Sequence, residues 1–208
     1  MTTSPQLPVS WDLLDSVPTT IYERLIVQWP NQTDRDLAFF YHESAKRLAS
    51  TFQGQPIDDT ILLPYLMLYR QAFELQLKTF TKYLAAIRRK HREPNNPDLT
   101  TEAIAKKLRN PRMVGHKLEP LLEELLIHFN ALDLSEPFPS GIEDLLSLLH
   151  QADAPGTYFR YAGNLPTTQV NIDFRNLAAR FDEQFNMLQA VEDWTYEQFR
   201  AVPDNYQY

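Results

Sequence analysis

The sequence predicts a mainly α-helical protein, and three observations support that fold class. Apolar residues recur every three or four positions over long stretches, as expected for helices that bury one face. Glycine occurs only five times in 208 residues, which disfavours a nucleotide-binding α/β fold with a Gly-rich phosphate loop. Only one stretch has the aromatic and β-branched residues of paired strands. We therefore expect a helical bundle with a long central helix and a small β-hairpin near residues 156–174.

The first two predicted helices span residues 33–52 and 58–92. Thr33 is a suitable N-cap for the first of them. The second is predicted to be the longest and central helix, because apolar residues recur at helical spacing from Leu62 to Ile87, over about seven turns. The basic residues at its C-terminal end interact favourably with the negative end of the helix dipole.

Four further helices complete the predicted bundle. The segment REPNNPDLT, with two prolines and paired asparagines, predicts a loop after the central helix. A short helix over residues 100–108 is expected to end before Pro111, because the residue preceding a proline avoids the α region. Amphipathic patterns then predict helices over residues 115–133, 142–150 and 173–191.

Composition narrows the class of protein. The hydrophobic content of 43% fits a globular chain, here predicted as one domain over residues 1–208 with an N-terminal extension of about 1–32. The absence of cysteine excludes disulfides and metal sites built on thiolates. Neither a signal peptide nor an apolar stretch of about 20 residues is visible. We expect a cytoplasmic protein without a membrane span.

No cofactor or metal is predicted. The five histidines are dispersed along the chain, and there is no HExxH motif or acidic calcium loop.

Positive charge is concentrated in residues 82–117, which we call the basic segment. It contains ten Lys and Arg against three acidic residues, a net charge of +7, whereas the whole chain carries −7. This density favours contact with RNA or another phosphate-bearing ligand. The alternatives are a solvated surface or a face that binds an acidic patch on a partner. The residues expected to bind RNA or an anion are Arg88, Arg89, Lys90, Arg92, Lys106, Lys107 and Arg112.

A polar stripe is predicted on the central helix, because Arg70, Glu74 and Lys78 are spaced four residues apart. Apolar residues occupy most of this helix's circumference, so the stripe is expected to be partly buried and its charges paired. It is either a row of surface ion pairs or part of a site or interface.

Three stretches occur in a familiar order. They are LPYLMLYRQAFELQLK at 63–78, GHKLEPLLEEL at 115–125 and YFRYAGN at 158–164. Together they resemble HEPN-domain proteins of bacteria and archaea, in which an Arg-x3-Glu-x3-Lys-like helix precedes a His-x-Leu-x2-Leu helix and an Arg-Tyr-Pro-like segment. The resemblance covers about two-thirds of the chain, with Ala162 where the related proteins often have proline.

The resemblance implies a helical bundle that commonly forms dimers. Many members of this family are metal-independent endoribonucleases of toxin–antitoxin, CRISPR-associated and other anti-phage systems, and others are non-catalytic partners that bind RNA or nucleotides. We therefore expect an RNA-binding protein of a prokaryotic defence or toxin-type system that associates with a second copy or a protein partner. The ribonuclease and the catalytically silent adaptor both remain open, and a small-nucleotide sensor is a third alternative.

Active members carry an arginine followed after four to six residues by a histidine. Histidine can move the proton of the 2′-hydroxyl, and arginine can bind the scissile phosphate. Two pairs here have six intervening residues, Arg109/His116 and Arg35/His42. We predict Arg109 and His116 as the catalytic pair, because they lie in the basic segment. In active relatives the pair lies nearer the last helix. This chain has no histidine after His150, and the absence favours the silent adaptor.

Overall fold

The computed structural model describes residue 25, residues 31–160 and residues 167–200. Helices account for 73% of these residues and no strand occurs among them, which confirms the mainly α class. The chain divides into two compact units between Gln32 and Thr33, and the second unit holds every helix given below. None of the described helices combines the length and the apolar character needed to cross a membrane.

Six α-helices are present in the described part of the chain. They are α1 (Asp34–Ser50), α2 (Leu62–His91), α3 (Thr101–Arg109), α4 (Leu118–Asn130), α5 (Ser140–Ala152) and α6 (Phe174–Arg200). Three short 3-10 helices lie in the connections, at Pro56–Ile61, Pro97–Leu99 and Tyr158–Arg160. Among the described helices α2 is the longest, with 30 residues, as predicted.

Local side-chain contacts set where several helices begin. Thr33 accepts a hydrogen bond from Asp36 N, and Asp36 bonds back to Thr33 N, so α1 starts with a capping box. Asp58 does not start α2, contrary to the sequence prediction. Its carboxylate instead accepts the backbone N–H groups of Gln53 and Gln55 and closes the preceding loop, so α2 begins later, at Leu62.

The core is built around α2, against which α1, α4 and α6 pack. Tyr65, Tyr69 and Phe73 of α2 are fully buried and meet Phe181 and Phe185 of α6 with ring centroids 5.1 to 6.4 Å apart. Tilted and edge-on aromatic pairs of this kind contribute about 0.5–1.5 kcal/mol each beyond the area they bury. This cluster fixes the position of α2 and therefore of its polar stripe.

The hairpin predicted over residues 156–174 has no strand in its described part. Tyr158–Arg160 form a 3-10 helix, residues 167–173 lead into α6 without regular structure, and residues 161–166 lie outside the described residues. Phe159 is buried in that 3-10 turn, which packs on α2. Phe159, one of the aromatic residues that suggested a strand, is thus buried as part of a turn.

The last helix continues to Arg200, nine residues beyond its predicted end at 191. Its buried face includes Leu188, Glu192 and Thr195 at intervals of four and three residues. Two of these three are polar, so the apolar periodicity fades although the helix and its burial continue.

Glu192 forms a buried polar contact between α6 and α2. Gln76 donates its amide N–H to Glu192 Oε2, and Arg35 Nε of α1 lies 3.6 Å from the same oxygen. Burial raises the pKa of Glu192 to about 7 and outweighs the opposing effect of the Arg35 charge. A substantial share of this carboxyl is therefore protonated at neutral pH.

We predict that Glu192 makes the stability of the fold depend on pH. Its pKa lies above the ordinary value of 4.5, so the folded state binds more protons than the unfolded state between these two values. The free energy of unfolding should fall as the pH rises from about 5 to about 8, by up to on the order of 3 kcal/mol from this group. Urea unfolding should show a steeper fall for the wild type than for Glu192→Gln. Parallel curves for the two proteins would contradict the buried carboxyl.

Candidate functional site

The polar stripe of α2 forms the centre of a charged cluster. Arg70 is 5% exposed and Glu74 is 2% exposed. Arg70 Nη1 donates to Glu74 Oε2 at 3.1 Å, and Lys78 Nζ donates to Glu74 Oε1 at 2.7 Å. The four-residue spacing on α2 therefore places two cations on one carboxylate.

The loop between α3 and α4 brings His116 to this stripe. His116 Nδ1 lies 2.6 Å from Glu74 Oε1, and the His116 carbonyl accepts a 2.6 Å hydrogen bond from Arg70 Nη2. A carboxylate only accepts, so Nδ1 carries the proton and Nε2 of the neutral ring is left as a proton acceptor. The His116 side chain is 74% exposed, so a ligand can reach the ring.

Residues 110–117 hold His116 in a tight turn. The Asn110 carbonyl accepts hydrogen bonds from Met113 N and Val114 N. Gly115 has φ of 60°, and a Cβ atom there would lie 2.8 Å from Pro111 Cα. Only glycine closes this turn without strain. The turn therefore presents His116 to α2 just before α4 begins.

Asp153 completes the cluster from the end of α5. Its Oδ2 lies 3.1 Å from Arg70 Nε, at an angle that makes the contact an ion pair rather than a hydrogen bond. Its Oδ1 accepts a 2.8 Å hydrogen bond from Tyr158 N. Asp153 is 1% exposed. The buried Arg70 guanidinium is thus paired with two carboxylates, as a buried charge requires. Asp153 was not predicted from the sequence, because a single aspartate at a helix end has no motif spacing.

The predicted catalytic pair is not brought into contact. Arg109 is exposed at the end of α3, where it lines a groove with Lys106 and Pro111. No hydrogen bond or ion pair joins it to His116 in the part of the chain that the structure describes. His116 instead shares Glu74 with Lys78.

The alternative pair, Arg35 and His42, is also separated. His42 is 2% exposed, its Nε2 lies 2.7 Å from Asp182, and its ring stacks on Phe185 at 4.3 Å. Burial lowers the pKa of His42 and outweighs the opposing effect of Asp182. Arg35 pairs with Asp193 on α6. These residues connect α1 to α6, and His42 is closed to a ligand.

The basic segment contains cations of two kinds. Arg88 is bound to Glu93 at 2.6 Å, Arg92 Nη2 donates to the Leu132 carbonyl at 3.0 Å, and Lys107 pairs with a buried glutamate of α4. These three stabilise the fold around the C-terminal end of α2. The second kind is exposed and consists of Arg89, Lys90, Lys106, Arg109 and Arg112. Four of these residues, Arg89, Lys106, Arg109 and Arg112, make no ion pair within the described ranges.

A groove of about 570 Å³ collects basic residues that are distant in sequence. Arg88 of α2 and Lys106 and Lys107 of α3 line it, together with the buried pair Glu124 and His128 of α4. Glu124 accepts from Lys107 Nζ at 2.6 Å and from His128 Nε2 at 3.1 Å. Lys106 also lines the groove that contains Arg109, so the two grooves adjoin along α3.

We predict that Gly156→Ala will destabilise the cluster more than a matched substitution elsewhere. Gly156 and Gly54 both have φ of 78°, so alanine carries the same backbone strain at each. A Cβ atom on Gly156 would lie 2.5 Å from Arg70 Nη2, whereas one on Gly54 would meet nothing within 4 Å. Displacing the paired guanidinium should add about 1–3 kcal/mol to the loss of unfolding free energy. Urea denaturation measures both variants, and equal losses would contradict this placement of Arg70.

The described residues contain no group of three or more His, Asp or Glu side chains that could hold a metal ion. No protein-family model, curated protein or solved structure matches the chain.

Proposed function

We propose that this chain is a HEPN-like RNA-binding protein of a prokaryotic defence or toxin-type system, and that it cleaves RNA without a metal through His116. The family placement is supported by the three sequence stretches that resemble HEPN-domain proteins. The chemistry is supported by one observation above all, an exposed imidazole held by a buried carboxylate, with His116 Nδ1 2.6 Å from Glu74 Oε1.

The Glu74–His116 pair suits the proton transfer that starts RNA cleavage. His116 Nε2 takes the proton of a 2′-hydroxyl, whose oxygen then forms a bond to the adjacent phosphorus. The bond from phosphorus to the 5′-oxygen breaks, and that oxygen takes a proton from water. The hydroxide left behind takes the proton from His116 Nε2, which returns the ring to its neutral form. The products are a 2′,3′-cyclic phosphate and a 5′-hydroxyl end. Glu74 fixes the tautomer of His116 and stabilises the imidazolium that forms, as the carboxylate does in a Ser-His-Asp triad.

The basic segment supplies the contacts to the RNA backbone in this proposal. Lys106 and Arg109 are exposed along α3, beside the two adjoining grooves. Neither is neutralised by a carboxylate within the described residues. Cations of this kind bind phosphates without reading sequence, and the affinity they provide depends strongly on salt.

A catalytically silent adaptor is the second candidate function. Two observations favour it: Arg70 binds the His116 carbonyl, and Arg109 does not contact His116. The cluster would then serve only to hold the loop against α2. The exposed cations would bind an acidic protein partner or a second copy of the chain.

We predict that RNA affinity depends on the exposed cations of α3. The double variant Lys106→Gln, Arg109→Gln should lower the slope of log K against log salt by about 1 to 2 units for single-stranded RNA, because two phosphate contacts are lost. The control is Arg47→Gln, Arg180→Gln, which removes two exposed arginines outside the basic segment. Fluorescence anisotropy at several salt concentrations measures both. An unchanged slope in the α3 variant would mean that these cations are only solvated.

We predict that the wild-type protein cuts single-stranded RNA in the presence of EDTA and leaves 2′,3′-cyclic phosphate ends. His116→Ala should abolish cutting while RNA affinity and helix content remain, because the imidazole acts in the transition state. His91→Ala, which removes a histidine of the same basic segment, is the matched control and should retain activity. Arg109→Ala should raise KM rather than lower kcat.

Two outcomes would reject this assignment. Cleavage that requires a divalent metal would rule out the proposed chemistry, and cleavage that survives His116→Ala would rule out the proposed residue. The absence of any cleavage by folded, RNA-binding wild-type protein would favour the adaptor.

A further inference from the structure

Glu74 Oε1 accepts hydrogen bonds from two side chains of the cluster. Lys78 Nζ lies 2.7 Å and His116 Nδ1 lies 2.6 Å from Glu74 Oε1, so the two nitrogens are at most 5.3 Å apart. Lys78 uses one of its three N–H donors in this contact, and His116 uses one of its two ring nitrogens. The two other N–H groups of Lys78 and the Nε2 atom of His116 have no partner among the described residues.

These two side chains are spaced for a phosphate group. His116 Nδ1 is bound to Glu74, so a phosphate at this site uses the other ring nitrogen, Nε2, which donates when the ring is protonated. Phosphate oxygens accept charge-assisted hydrogen bonds of about 2.8 Å, and a phosphate carries several such oxygens, so one can accept from Lys78 Nζ and another from His116 Nε2. Both groups reach the surface, since the side chain of Lys78 is 17% exposed and that of His116 is 74% exposed. Arg70 cannot take this role, because it is buried and bound to Glu74, Asp153 and the His116 carbonyl.

The charge balance of the cluster is compatible with a bound anion. Arg70 and Lys78 are balanced by Glu74 and Asp153, so the net charge is zero with a neutral His116 and +1 with a protonated one. A bound phosphate stabilises the protonated ring through direct contact. The exposed neighbour Lys117 adds positive potential at the same loop.

We propose that Lys78 and His116 form a phosphate-binding site, and that Lys78, rather than Arg109, holds the scissile phosphate beside His116. The role in cleavage rests on the proposed function, whereas phosphate binding itself does not. Arg109 belongs to the neighbouring groove on α3 and contributes to the binding of flanking RNA.

The test is a titration of the full-length protein with inorganic phosphate, followed by NMR of the side-chain nitrogens of Lys78 and His116. Both signals should shift together in the wild type. Lys78→Met removes the ammonium group but keeps an unbranched side chain, and it should weaken binding at least about tenfold, whereas Lys78→Arg should restore binding. Arg47→Gln, which removes an exposed arginine outside the basic segment, should bind phosphate as the wild type does. Lys78 and His116 signals that do not respond in the wild type would overturn the proposal without any variant.

Turnover of RNA separates this inference from the proposed function. If the site is correct and the enzyme is active, Lys78→Met should lower kcat by about 100-fold, as expected for loss of a group that stabilises transition-state charge. Phosphate binding at Lys78 without RNA cleavage would leave the site standing and reject the ribonuclease. Cleavage with full kcat in Lys78→Met, together with unchanged phosphate binding, would reject the site and leave the ribonuclease standing.

Discussion

The Glu74 carboxylate is the interaction on which the candidate site depends. It accepts hydrogen bonds from Arg70 and Lys78 of its own helix and from His116 of the loop before α4. A buried carboxylate is costly to desolvate, and the loss is offset only when several donors surround it. Without Glu74, Arg70 would be left buried with Asp153 as its only anion. The carboxylate therefore determines both the geometry of the cluster and its charge.

The remaining structure serves to bring these partners to Glu74. The aromatic cluster between α2 and α6 fixes the helix that carries the stripe. Gly115 allows the loop to turn at a point where a Cβ atom would strike Pro111, and this presents His116. Asp153 supplies the second anion to Arg70 from α5. The cluster around Glu74 is preorganised because several elements of the fold position its residues. Its buried part has a low local dielectric constant, in which hydrogen bonds to charged groups are strong.

Features with a local signal could be predicted from the sequence, and features set by tertiary distance could not. Apolar periodicity predicted the long α2 because it depends on neighbours within one helix, and the four-residue spacing from Arg70 to Lys78 predicted one stripe for the same reason. The sequence spacing between Arg109 and His116 did not predict a contact correctly, because the turn between these residues changes the direction of the chain. Asp153 gave no sequence signal, and its contact with Arg70 joins residues more than 80 positions apart.

The tautomer of His116 is the most direct test of the central claim that Glu74 orients an exposed imidazole. Long-range ¹H–¹⁵N NMR of the neutral ring distinguishes the protonated nitrogen from the bare one. We predict that the wild type carries the proton on Nδ1, bonded to Glu74, and that Glu74→Ala loses this preference. A wild-type ring protonated on Nε2, with the same spectrum in Glu74→Ala, would contradict the account.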